Sequence, residues 1–119
     1  DIGNADSLSG SFPQLISQLT NLIKLTVSRF EVKDSFPSGL FTLPHLTHIV
    51  LSDAFLPETF PAGISLMTYL KHLGLSRNSF FGPFPEVTGL VQLSYLDISY
   101  NYFTGSMPTL TKMSSLVSL

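Results

Sequence analysis

An aromatic residue or methionine followed by proline recurs along the chain at an almost constant interval. Phe12-Pro13, Phe36-Pro37, Phe60-Pro61, Phe84-Pro85 and Met107-Pro108 are spaced 24, 24, 24 and 23 residues apart. A fixed period of this length constrains the fold more than any other feature, because a unit of two dozen residues cannot bury its own apolar face and must stack on the next copy. Alignment on the Phe-Pro pair brings further columns into register. They are Leu22, Leu46, Leu70, Leu93 and Leu116; Leu25, Ile49, Leu73, Leu96 and Leu119; Val27, Leu51, Leu75 and Ile98; and Leu8, Val32, Leu56, Phe80 and Phe103. The residue missing from the shorter repeats falls just after Pro85 and Pro108.

Each Leu-x-Leu alternation reads as a strand with one buried face, and stacking pairs it with the next in a parallel sheet at about 4.8 Å spacing. Phe12, Phe36, Phe60, Phe84 and Met107 are expected to turn inward as a second ladder. The proline after each ends the extended segment, since it has no N–H to give to a sheet. A fully buried Leu, Val or Phe contributes about 1.5 to 3 kcal/mol, so several per repeat make these ladders the main source of stability.

The columns spell Leu-x-x-Leu-x-Leu-x-x-Asn-x-Phe/Leu-x-Gly-x-Phe-Pro. This pattern resembles leucine-rich repeats, and its Gly-x-Phe-Pro tail resembles the plant extracellular subclass, which forms the ectodomains of receptor-like kinases, receptor-like proteins and polygalacturonase-inhibiting proteins. The resemblance covers residues 6 to 119. It implies an α/β, right-handed leucine-rich-repeat solenoid with a parallel β-sheet on its concave face, about five repeats of 23–24 residues, and short 3-10 or irregular convex segments. Residues 1–119 are read as a single solenoid segment, uncapped at both ends. The resemblance also gives the asparagine column a role in satisfying backbone groups where the chain leaves the strand. Here that column reads Asp6, Phe30, Ala54, Asn78 and Asn101, and the glycine column reads Gly10, Asp34, Glu58, Gly82 and Gly105. Residues 29–35 and 53–59 are therefore expected to be less regular than their counterparts.

Composition removes several functions. Charged residues make up 12% of the chain and the formal net charge is −2, so no basic field draws nucleic acid or acidic lipid. Polarity is supplied mainly by 17 serines and 10 threonines. Without cysteine there are no disulfides or thiolate metal sites. No apolar run reaches the roughly 18 residues of a membrane span. Phosphate-binding glycine loops, Gly-x-Ser-x-Gly and a Ser-His pair with an orienting acid are all missing, and an open sheet supplies no oxyanion donors, so the chain is expected not to be an enzyme.

Solenoids bind along their concave surface. The outward positions form four columns: Lys24, His48, His72, Tyr95 and Ser118; Thr26, Val50, Gly74 and Asp97; Ser28, Ser52, Ser76 and Ser99; and Arg29, Asp53, Arg77 and Tyr100. Tyrosine and arginine among them suit protein or peptide recognition. Lys24, Arg29, His48, Asp53, His72, Arg77, Tyr95, Asp97 and Tyr100 are the candidate binding residues. His48 and His72 fall on adjacent strands with Asp97 diagonally near. That set reads in three ways: ordinary surface histidines, a pair titrating near neutrality, or the donor types of a metal site. The plain surface reading is preferred, and no metal or cofactor is assigned. Arg29, Asp53 and Arg77 alternate in sign, as a cross-strand charge ladder would. Asp34 and Glu58 are neighbours of like charge, eased by Lys33, with calcium as the weaker reading.

The expectation is an extracellular or cell-surface recognition module, part of a receptor-like ectodomain that binds a peptide, protein or co-receptor on its concave face. The alternatives are a secreted inhibitor of a cell-wall-degrading enzyme and an ice-binding or structural solenoid, the last suggested by the serine column. Any membrane contact would come through segments outside this chain.

Overall fold

The computed structural model describes residues 8–10, 14–32 and 35–110. Phe12, Asp6, Lys33, Asp34, Leu116, Ser118 and Leu119 lie outside them. The strands are β1 (Leu8–Gly10), β2 (Lys24–Ser28), β3 (Phe30–Val32), β4 (His48–Ser52), β5 (His72–Gly74), β6 (Phe81–Pro83), β7 (Tyr95–Asp97) and β8 (Tyr102–Thr104). Strands β2, β4, β5 and β7 form a parallel sheet in that order. Leu25 faces Ile49, Ile49 faces Leu73, and Leu73 faces Leu96. The predicted row is therefore one row, and all four side chains are buried. A one-residue slip would turn every leucine to solvent, so burial of one face fixes this register.

Behind the sheet, the convex side carries 3-10 turns at Gln14–Gln18, Ser38–Thr42 and Ala62–Leu66. Leu40 N donates to Pro37 O and Ile64 N to Pro61 O, which starts the turn after each Phe-Pro pair. The shorter fourth repeat lacks a residue there and forms no 3-10 turn. It keeps only the later bonds, Leu90 N to Val87 O and Leu93 N to Leu90 O. Coils approach closely along this side. A Cβ on Gly89 would stand 2.7 Å from the carbonyl oxygen of Ser65, a backbone atom that cannot swing aside. Gly89→Ala is thus expected to destabilise the chain by about 1 to 3 kcal/mol through overpacking. Denaturant unfolding would measure this, and a neutral result would show that the coils are further apart.

Phe36, Phe60 and Phe84 are buried as a ladder, with ring centroids 5.1 Å apart in an edge contact and then 5.7 Å apart in a stack. Phe80 packs edge-on against Phe60 at 5.2 Å, and Phe103 against Phe84 at 5.1 Å. Met107 departs from this expectation. It is 47% exposed, because no described coil lies over it.

The convex 3-10 segments are as expected, and a second set of strands, for which the repeat columns gave no expectation, runs along the flank. Strand β1 pairs with β3, and β6 with β8, both in parallel. Leu8 faces Phe30 rather than Val32, and Phe81 faces Tyr102, so this sheet lags the main register by two residues. Between the two pairs only a single bridge, Thr59 to Phe81, survives. Residues 53–59 are thus irregular as expected, with Phe55 at φ 53° and its ring 62% exposed. Within the other stretch, β3 (Phe30–Val32) is regular, which differs from expectation for those residues. Gly82 and Gly105 explain the glycine column, as they sit at φ 76° and 82° where a side chain is strained. Glu58 occupies that column without a positive φ. Its carboxylate instead accepts a hydrogen bond from Phe36 N in the coil beneath.

Asparagine does the work that the repeat pattern implies. Asn78, 6% exposed, donates from Nδ2 to Leu51 O at 2.7 Å and Leu75 O at 3.0 Å, and its Oδ1 accepts from Ala54 N at 2.9 Å. Asn101 repeats this one coil on, with Nδ2 to Leu75 O at 2.8 Å and Oδ1 accepting from Phe80 N at 3.1 Å. Ala54 has no side chain to offer. Its own carbonyl serves the coil beneath, accepting from Val32 N at 3.2 Å.

Candidate binding face

Strand alternation sends Leu25 and Val27 to the core and Thr26 and Ser28 outward, and each later coil repeats the choice. The first outward row is Lys24, His48, His72 and Tyr95, in direct register across four strands. Thr26, Val50, Gly74 and Asp97 form the second. In the third, Ser28 faces Ser52, and the Ser52 and Ser76 hydroxyls are 3.5 Å apart. The sheet's hydrogen bonds run beyond the named strands to the fourth row, with Arg29 N bonded to Ser52 O, Asp53 N to Ser76 O and Arg77 N to Ser99 O.

The fourth row carries a backbone feature that sequence reading missed. Arg29, Asp53, Arg77 and Tyr100 all have positive φ, between 54° and 57°. The repeat places two residues, not one, between the inward Val27 and the inward Phe30. One residue must therefore turn through the left-handed region, at about 1 to 2 kcal/mol each for a non-glycine side chain. That double spacing was the available signal. The turn throws these side chains outward at the lip of the sheet, where Arg29, Arg77 and Tyr100 are exposed. The guanidinium carbon of Arg77 sits 5.2 Å from the Tyr100 ring centroid, a cation–π contact. Among the described residues Arg77 makes this contact rather than an ion pair with Asp53, so the Asp53–Arg77 step of the expected charge ladder is not formed.

In the first row the rings stack. His48 and His72 lie 5.6 Å apart at an interplanar angle of 17°, and His72 lies 4.1 Å from Tyr95 at 5°. Thr47 Oγ1 holds the His48 ring through a 2.8 Å contact to Nδ1 and also donates to Ile23 O. Desolvation first, then the charges of His48 and Lys24, push the His72 pKa below its ordinary value of 6.5, while Asp97 opposes them. Burial pushes the Asp97 carboxyl up, but bonds from Ser99 Oγ at 2.6 Å and Ser99 N at 3.0 Å, aided by Ser76 and Tyr95, hold it below the usual carboxylate range. His48, His72 and Asp97 do not converge as metal donors, and no group of three or more His, Asp or Glu among the described residues is placed to hold an ion. The nine candidate residues therefore share one face, with stacked aromatics at one edge and an arginine–tyrosine pair at the other.

A scaffold of this kind has known counterparts. The Leucine Rich Repeat family matches residues 92–113, and 94% of the chain superposes on a plant peptide hormone receptor, RGFR1 in complex with RGF2, with a TM-score of 0.87 and 32% identity. The chain is a plant-type leucine-rich-repeat protein. A second leucine-rich-repeat structure, the Arabidopsis receptor kinase HAESA with the peptide hormone IDA and the co-receptor SERK1, is 31% identical over 93% of the chain at a TM-score of 0.83. This leucine-rich-repeat chain spans 18% and 19% of those two receptor chains, about a fifth of each. A plant ice-binding protein matches 84% of the chain, and the chain spans 33% of it, at a TM-score of 0.79 and 24% identity. That likeness is one of fold alone. No curated protein matches the sequence.

Proposed function

We propose that the chain is a recognition segment of a plant receptor-like ectodomain, working outside the cell and binding a peptide, protein or co-receptor through its concave face. One observation carries this reading. Rigid rows of exposed and half-buried Tyr, His, Arg and Lys side chains stand in register on a single sheet face, in a scaffold shared with receptors solved together with peptide hormones. Aromatic and arginine side chains fixed by stacking lose little entropy on binding, which makes them effective anchors. No helix among the described residues is long and apolar enough to cross a membrane.

Tyr95→Ala and Arg77→Ala test the face. Both side chains lie outside the core cluster, so thermal unfolding should stay within a few degrees of the parent, by about ±0.5 kcal/mol. Peptides selected from a random library on the immobilised parent chain should lose about thirtyfold or more in affinity for each variant, corresponding to an anchor worth about 2 kcal/mol. Selected peptides that bind both variants as well as the parent would remove the site.

A further inference from the structure

The first row has chemistry that shape recognition alone does not need. Lys24, His48 and His72 stand side by side on β2, β4 and β5. Among the described residues no carboxylate forms an ion pair with any of them. Asp97 on β7, the one acid whose charge acts on His72, is already engaged by Ser99. Tyr95 covers the far side of the His72 ring, while Lys71 and His45 are exposed near the starts of β5 and β4. The row is thus a strip of cationic and protonatable nitrogen in a chain of net charge −2.

Thr47 Oγ1 lies 2.8 Å from His48 Nδ1 and 3.2 Å from Ile23 O, so Nδ1 is already engaged and Nε2 is the ring nitrogen left for a partner. On His72, a Cβ added to Gly74 would lie 3.9 Å from Nε2, so the glycine leaves a shallow gap beside that nitrogen. Protonation of the His72 ring without a counter-ion is opposed by its partial burial, by His48 and by Lys24. A carboxylate laid along the row reverses that balance, and a protonated His72 would also gain a cation–π contact with Tyr95.

We propose that Lys24, His48 and His72 form a carboxylate-binding subsite of the concave face, and that an acidic side chain of the partner docks there together with one proton taken from solvent. This rests on the concave-face reading above and adds the chemistry of one contact. The sign follows from linkage. The free imidazole binds its proton only below its depressed range, and the bound one holds it at higher pH. Affinity therefore gains as pH falls between those two limits, by at most about tenfold per pH unit for one proton, and is flat outside them.

Hexaglutamate is a suitable probe, with hexaglutamine as the uncharged control, titrated against the 119-residue chain by NMR at pH 5.5 and 7.5. Glutamate stays ionised across this range. Hexaglutamate should shift the His48 and His72 ring resonances, raise the His72 titration midpoint and bind about tenfold more tightly at pH 5.5. Hexaglutamine should do none of these. In His48→Gln and His72→Gln, checked for retained fold by their backbone spectra, the pH dependence should shrink to less than about threefold. An unmoved His72 midpoint, or equal affinity at both pH values, would overturn the subsite. If hexaglutamate perturbs only Arg29, Arg77 and Tyr100, the subsite fails while the concave-face reading stands. If it perturbs no residue of the face, the subsite fails and the library selection with Tyr95→Ala and Arg77→Ala decides the wider reading.

Discussion

Leu73→Asp is expected to abolish the cooperative thermal transition of the chain. Leu73 is fully buried between Ile49 and Leu96 in the middle of the sheet. Its replacement removes the transfer free energy of a leucine, leaves a cavity, and places a carboxylate where no partner exists. Leu→Ala at such a site costs about 2 to 5 kcal/mol, and the aspartate adds a desolvation penalty of several kcal/mol more. Total stability at about 0.05 to 0.15 kcal/mol per residue is of the same size. Each coil is held mainly by its neighbours, so the loss spreads to the coils on either side. Circular dichroism melting would read the effect. A sharp transition within a few degrees of the parent would mean that Leu73 is not a core residue.

Asn78→Ala is the second large effect, because one side chain satisfies three buried backbone groups on two coils. Without it, Ala54 N and Leu51 O, both in the coil beneath, lose their side-chain partner, and Leu75 O loses one of two. Each unsatisfied buried group costs about 1 to 3 kcal/mol, so a loss of about 3 to 5 kcal/mol is expected in denaturant unfolding. Leu75 O still accepts from Asn101 Nδ2, which limits the total. Asn101→Ala should cost less, since Asn101 is only half-buried. Equal costs for the two variants would show that burial does not set the strength of this ladder.

How far the sequence discloses this structure depends on whether a feature recurs once per coil. The Phe-Pro interval and the leucine columns do, and they set the register of Leu25, Ile49, Leu73 and Leu96 without ambiguity. They also put Lys24, His48, His72 and Tyr95 in one row. What they leave out are features made by two neighbouring coils or by backbone torsion. The two-residue lag of the flank strands is a relation between neighbouring coils that no side chain in the columns encodes. The left-handed residues Arg29, Arg77 and Tyr100 are types without special tolerance for that region, so composition hides them and only the extra residue before Phe30, Asn78 and Asn101 betrays them. The Asp53–Arg77 step of the charge ladder was hidden for a related reason, since Arg77 reaches the coil above and lies against the Tyr100 ring there. Stacking of His72 on Tyr95 needed ring orientation, which column position cannot supply.

The functional face exists only if the coils stack in strict succession, and nuclear Overhauser contacts between side-chain methyls measure that succession most directly. Leu25 should show contacts to Ile49, Ile49 to Leu73, and Leu73 to Leu96, with none skipping a coil. Contacts from Leu25 to Leu73 or Leu96, or the absence of the Ile49–Leu73 contact, would contradict the stack and scatter the residues assigned here to one binding face.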